Sequence, residues 1–127
     1  MDFSNMRFTA EHEWVRPGDG GVVTIGITEF AAGELGDIVF VELPAVGAEV
    51  KEAESMGTIE AVKTVADLFA PISGTVVTVN SAIEDDPAVV NGSPYDEGWL
   101  ATIRMSDPSK LENLMTHEAY QESIGQS

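Results

Sequence analysis

With 127 residues, 43% hydrophobic and 22% charged, the chain is long enough to bury one core and too short for two. Twenty-two acidic residues against six basic ones give a formal net charge of −16. Such a field repels phosphate backbones and anionic membrane surfaces, which argues against nucleic-acid and headgroup binding and favours partners with basic or neutral patches. There are no cysteines, hence neither a disulfide nor a thiolate nucleophile.

The N-terminal stretch Met1-Asp2-Phe3-Ser4-Asn5 has no basic segment followed by an apolar one, and none of the arginine-rich character of a transit peptide. No apolar run is long enough to span a bilayer. A soluble cytoplasmic protein, or the mature form of an organellar one, is expected. Next, Glu13–Arg16 and Val22–Ile27 flank Pro17-Gly18-Asp19-Gly20-Gly21, a strong turn signal that predicts a hairpin. Thr28 is placed to cap a brief helix through Phe30-Ala31-Ala32, with Gly33 as its stop. Asp37–Leu43 is rich in β-branched and aromatic residues and ends at Pro44, which predicts a strand.

Ser55–Ala61, Thr64–Ala70, Gly74–Asn80 and Trp99–Met105 are further strand candidates. Between the last two, Asp85 or Asp86 before Pro87 marks a helix start, and Asn91-Gly92 its stop. The run Glu84-Asp85-Asp86 lacks calcium-loop spacing and is better explained by that capping. Asp107-Pro108 repeats the start signal, and Leu111, Leu114, Met115 and Ala119 then share a helical face. Residues 1–127 are therefore expected to form one mainly-β domain, with a β core over about 7–105 and a C-terminal helical segment over about 107–124.

Two strand-like runs meet at Glu60-Ala61-Val62-Lys63-Thr64 without Gly, Pro, Asn or Asp. Tight hairpins normally use those residues to reach positive φ cheaply. A turn built around a lysine suggests a position kept for its side chain, and lysine is scarce, occurring only at 51, 63 and 110. An exposed ε-amine, once deprotonated, is a nucleophile that an enzyme can acylate. By composition and spacing alone, however, a solvated surface lysine is the favoured reading.

A resemblance changes that balance. His12-Glu13-Trp14-Val15, Gly26-Ile27-Thr28 and Leu35-Gly36-Asp37-Ile38-Val39-Phe40-Val41-Glu42-Leu43-Pro44 begin a series that runs nearly the whole chain. It continues through Glu60-x-Val62-Lys63, Asp67-Leu68, Ala70-Pro71-Ile72-Ser73-Gly74, Val79-Asn80, Asn91-x-x-Pro94-Tyr95, Gly98-Trp99-Leu100 and Glu118-Ala119-Tyr120. Each piece is weak alone, but in this order and spacing the sequence resembles the lipoyl-carrying H-protein family of the glycine cleavage system.

The resemblance implies a flattened β-barrel of the barrel-sandwich hybrid type, related to lipoyl and biotinyl carriers, with short helices and a C-terminal helix. It implies lipoic acid in amide linkage to Lys63, installed by a lipoate or octanoyl transferase and lipoyl synthase. The arm would accept an aminomethyl group from a pyridoxal-phosphate-dependent glycine decarboxylase and present it to a tetrahydrofolate-dependent aminomethyltransferase. Dihydrolipoamide dehydrogenase would reoxidise the dithiol. By the same likeness, Glu60 and Gly74 help the modifying enzymes recognise the lysine, while Glu13 and Asp67 lie beside the loaded arm and hold its nitrogen. Set against these roles, Glu60 reads as a solvated charge, Gly74 as a plain turn residue, and two acids among twenty-two as coincidence. The family often has Ser where this chain has Ala61, and Ala where it has Thr64.

His12 and His117, the only histidines, come from distant segments and make no convincing metal site; Trp14 and Trp99 read as core packing. A biotin carrier is disfavoured because Val62 and Thr64, not methionines, flank the lysine. A paralogue that relays its lipoyl group to other enzymes would share every feature named. For an enzyme there is no Gly-x-Ser-x-Gly elbow, dinucleotide glycine motif or Cys/His dyad. A non-catalytic, monomeric carrier is expected.

Overall fold

The structure, a computed structural model, describes residues 3–125. Among these residues nine strands form two antiparallel sheets. The six-stranded sheet contains β1 (Arg7–Phe8), β2 (Glu13–Pro17), β3 (Val22–Ile27), β5 (Glu49–Val50), β8 (Gly74–Val79) and β9 (Ala101–Met105), in the order β1-β2-β3-β9-β8-β5. The smaller sheet orders β4 (Ile38–Glu42), β6 (Ser55–Ala61) and β7 (Val65–Phe69) as β4-β6-β7. This is the flattened, mainly-β barrel-sandwich architecture expected above. The two-residue strands β1 and β5 were not foreseen, being too short to carry a period.

The first hairpin forms as predicted. Gly20 and Gly21 take φ of +67° and +79°, a region open to glycine at little cost. In the register, Trp14 lies opposite Gly26; a Cβ on Gly26 would come within 2.5 Å of the indole, so the missing side chain makes room for the ring. The indole N–H donates to the Pro94 carbonyl at 3.0 Å, which gives its one polar atom a partner in the core.

Thr28 caps α1 (Glu29–Leu35) by accepting from the Ala31 N–H, as predicted. The helix does not stop at Gly33, however. Gly33 sits inside it facing open space, and the chain turns only at Gly36, where φ is +78°. A glycine ends a helix where the backbone must leave the right-handed region, not wherever one occurs.

The helix expected from Asp85 or Asp86 to Asn91-Gly92 forms as α3 (Ala88–Gly92), with a separate short helix that was not expected, α2 (Ala82–Asp85), before it. Pro87 occupies the N-cap of α3, and no acidic side chain caps either helix, so capping does not account for the acidic run. The C-terminal segment is also split. Asp107 accepts from the Ser109 N–H and starts a 3-10 stretch, Pro108–Asn113; Thr116 then caps α4 (His117–Ser123). Leu114 is extended, and Met115 after it exchanges backbone hydrogen bonds with Phe8, a pairing incompatible with continuous helix. Ala119 is exposed, and Tyr120 is the residue α4 buries.

Burial falls into three groups. Val15, Val23, Ile25, Val76 and Ile103 pack with Ile72 inside the large sheet. Ile38, Val41, Ile59 and Leu68 of the small sheet meet Ala32, Ile83 and Val90 of the helices. Met6, Phe8, Trp14 and Tyr120 form the third, which ties the C-terminal helix to the barrel. Trp99 packs against it half-buried. Among the described residues, every buried side-chain nitrogen or oxygen has a hydrogen-bond partner.

Candidate functional site

Strands β6 and β7 meet in the turn Ala61–Thr64, where the Ala61 N–H donates to the Thr64 carbonyl at 2.8 Å. Among the described non-glycine residues only His12 and Ala53 have positive φ, so neither Val62 nor Lys63 needs the left-handed region. The turn does without glycine for that reason, and a third segment holds it. The Val62 N–H donates to the Asp37 carbonyl at 3.0 Å, from the residue just before β4. Lys63 is thus displayed on a tip fastened to all three strands of the small sheet, and it is exposed.

Its side chain lies back across Gly36. A Cβ on Gly36 would stand 3.3 Å from Lys63 Cε and 3.7 Å from Nζ. Asn91 fixes this stretch of backbone from below: its side-chain amide donates to the Gly36 carbonyl at 2.8 Å, and its oxygen accepts from the Ile38 N–H at 3.0 Å. The platform under the lysine therefore rests on α3, far away in the sequence.

From Leu35, the neighbour of Gly36, a groove of about 250 Å³ runs between α1 and β7. Ala31, Glu34 and Leu35 form one wall, Ala66 and Asp67 the other, and His12 and Glu13 lie along it. Glu13 and Asp67, which stand 54 positions apart in the sequence, line the same groove. His12, at φ +67°, is held there by Tyr120, whose hydroxyl lies 2.9 Å from His12 Nδ1 and 2.7 Å from Thr28 Oγ1. Among the described residues no three His, Asp or Glu side chains are grouped to hold a metal ion.

Glu13 is buried and receives a hydrogen bond from the Thr9 hydroxyl at 2.7 Å. Burial pushes its pKa from 4.5 to about 7 and nearby Glu11 adds to the rise, against the lowering by hydrogen bonds from Thr9 and the Phe69 backbone. The folded protein therefore holds a proton on Glu13 that the unfolded chain has lost between pH 4.5 and about 7. Its contribution to stability is full below the lower value and falls as pH rises through the upper one, by about 3 kcal/mol in all. Glu13→Gln keeps the oxygen that accepts from Thr9 but cannot ionise. Comparing urea unfolding of wild type and variant, the variant should gain on wild type by most of that amount between pH 4.5 and pH 8. A constant difference would show that Glu13 titrates normally.

The other two expected residues lie elsewhere. Glu60 is exposed on the outer face of the small sheet, paired with Phe40 on one side and Val65 on the other. Gly74 is buried in the large sheet at the start of β8, between Val50 and Met105. Two residues of the site escaped the sequence reading, Gly36 and Asn91. Their signals were present, but Asn91-Gly92 reads as a helix stop, and nothing local shows that the Asn91 side chain spans to another element.

Architecture and site together define the barrel-sandwich fold of lipoyl- and biotinyl-carrier proteins, with a lysine at a hairpin tip. The sequence model described as Glycine cleavage H-protein matches residues 6–127, so the chain belongs to the glycine cleavage H-protein family. The H protein of Staphylococcus saprophyticus is 52% identical over 123 residues, covering 97% of each chain. That of Geobacillus kaustophilus is 55% identical over 121 residues, 95% of this chain and 94% of its own. A crystal structure of the H protein from Mycobacterium marinum superposes with a TM-score of 0.87 at 42% identity, covering 96% of this chain and 98% of that one.

Proposed function

We propose that residues 1–127 form a single carrier domain whose Lys63 ε-amine bears lipoic acid. In this reading the protein accepts the aminomethyl group of glycine from the pyridoxal-phosphate decarboxylase and presents it to the tetrahydrofolate-dependent aminomethyltransferase. Dihydrolipoamide dehydrogenase then restores the disulfide. The observation that carries the reading is the placement of Lys63, on a tip anchored by three strands and across a glycine whose neighbour Leu35 lines a carboxylate-bearing groove.

The bound lipoyl group supplies the disulfide and dithiol chemistry that a chain without cysteine lacks. The chain's own residues supply presentation and shelter. The anchored turn keeps the lysine projecting, so the tethered group is delivered at high effective concentration and need not diffuse freely. Gly36 leaves room for the arm to fold toward the groove. There Asp67 and Glu13 offer carboxylates to a protonated amine. A cation seated beside Glu13 favours its ionised form, so seating the amine should release a proton from Glu13.

Glu60 presents a fixed negative charge beside the target lysine, available to a basic patch on the modifying enzymes. Gly74, buried in the other sheet, supports recognition through the geometry of the barrel. The chain accelerates no reaction by itself and works as a monomer in the bacterial cytoplasm. Its acidity opposes self-association, and its relatives are bacterial. Among the described residues no helix is long and apolar enough to cross a membrane.

The test is intact mass after co-expression with lipoylation enzymes and lipoate, followed by glycine-dependent reduction of the purified protein with the decarboxylase. One lipoyl increment is expected and, with glycine and the decarboxylase, an aminomethyl group on one sulfur of the arm with the other sulfur left as a free thiol. No increment beside a lipoylated positive control overturns the carrier reading. An increment without glycine-dependent reduction leaves a lipoyl carrier but removes the glycine cleavage role.

A further inference from the structure

Five large hydrophobic side chains stand out as exposed among the described residues, and four of them lie on the small sheet or on the tip that carries Lys63. Val62 (75% exposed) precedes it on the tip, and Val65 (62%) follows at the start of β7. Phe40 (47%) and Val39 (49%) lie on β4. The register aligns Phe40, Glu60 and Val65 as direct neighbours across the three strands, which puts their Cβ atoms roughly 5 Å apart on one face. A β-bulge between Ile38 and Phe40 breaks the alternation there, leaving both Val39 and Phe40 outside. Exposed apolar side chains scattered singly need no explanation, but four gathered at one end of a chain with a net charge of −16 do.

We propose that this face is the docking surface for the acyltransferase that modifies Lys63. The proposal rests on the reading of Lys63 as the lipoyl site and deepens it. The choice of partner follows from reach. An enzyme acting on the bare amine must bring its catalytic centre within one lysine side chain of the backbone at 63, so the residues beside the tip are pressed into its interface. Enzymes acting on the finished arm meet its far end and stand farther off. The complementary surface is an apolar shelf against Phe40, Val62 and Val65, edged by basic side chains that face Glu60 and, one row down β4, Glu42.

The test measures initial rates of lipoyl transfer to the unmodified protein over a range of its concentrations, read by intact mass. Phe40→Ser/Val65→Ser is expected to lower kcat/KM by about tenfold or more, mostly through KM, with a thermal melt establishing that the variant is folded. Val62→Ser, on the tip and remote from the core, repeats the test without touching a strand. Val46→Ser removes the fifth exposed hydrophobe (63%), away from this face, and should match wild type. Raising ionic strength should raise KM for wild type and less so for Glu42→Gln/Glu60→Gln.

Wild-type kcat/KM in both patch variants, or an equal loss in Val46→Ser, overturns the proposal. So does an equal loss when the variants, once lipoylated, are assayed with dihydrolipoamide dehydrogenase, since the face would then serve arm-directed enzymes alike. Wild type that takes no lipoyl group at all points instead to failure of the carrier reading.

Discussion

Lys63→Arg is expected to abolish lipoyl loading completely while leaving the fold at wild-type stability. Forming the amide requires an amine nitrogen that can shed a proton as it attacks the activated acyl carbon and the leaving group departs. A guanidinium stays protonated at any physiological pH and cannot take that role. The fold should not notice the change. Lys63 is exposed, its side chain lies across Gly36, and the backbone bonds that shape the tip belong to Ala61, Val62 and Thr64. Exposed substitutions of this kind usually move stability by less than about 0.5 kcal/mol. Lys51 and Lys110 are exposed too, so exposure does not select among the three lysines; presentation on the anchored tip does. Intact mass and a thermal melt of co-expressed wild type and variant read both halves of the expectation. A lipoyl increment persisting in Lys63→Arg, on either other lysine, would remove the premise that the tip chooses the site.

Gly74→Ala should be the most damaging small change in the barrel. A Cβ there would lie 2.1 Å from the Arg104 carbonyl oxygen and 2.7 Å from Ile103 Cγ2. β8 pairs with β5 on one side and β9 on the other at that residue, so the backbone cannot back away without breaking a ladder. A loss of about 3 kcal/mol is expected, at the upper end of overpacking effects. Gly33→Ala is the natural contrast. That glycine lies within α1, its φ is not positive, and a Cβ would meet nothing within 4 Å. Alanine there should add about 0.5–1 kcal/mol by restricting the unfolded chain. Urea midpoints at unchanged slope give both numbers. They also separate the two roles of Gly74. A variant as stable as wild type that nonetheless takes no lipoyl group would mean that the modifying enzyme reads this position directly.

The local signals of the chain were strong where one residue type has one physical reason. The Pro17–Gly21 turn, the Thr28 cap and the runs of β-branched residues gave the first hairpin, the start of α1 and the larger strands, with edges shifting by one or two residues at Ile38, Val65 and Ala101. A turn centred on Lys63 and lacking glycine could also be read directly. Only the full-length resemblance, though, lifted that lysine above any other on a loop.

Tertiary structure decided the rest, because the deciding partners are remote. Gly33 and Gly36 are both plausible helix stops; which one acts depends on Asn91 gripping the Gly36 carbonyl from α3. The C-terminal helix breaks because Met115 is claimed by Phe8, over a hundred residues earlier. Burial of Glu13 and its meeting with Asp67 arise where β2 and α1 pack beside β7, and a carboxyl's proton affinity is set by that desolvation, not by its neighbours in sequence. Composition and spacing thus determined the strands and the exposed lysine, since backbone preference and side-chain period act within a few residues. The groove, the shifted Glu13 and the support beneath Lys63 depend on contacts across the fold, which no local pattern encodes.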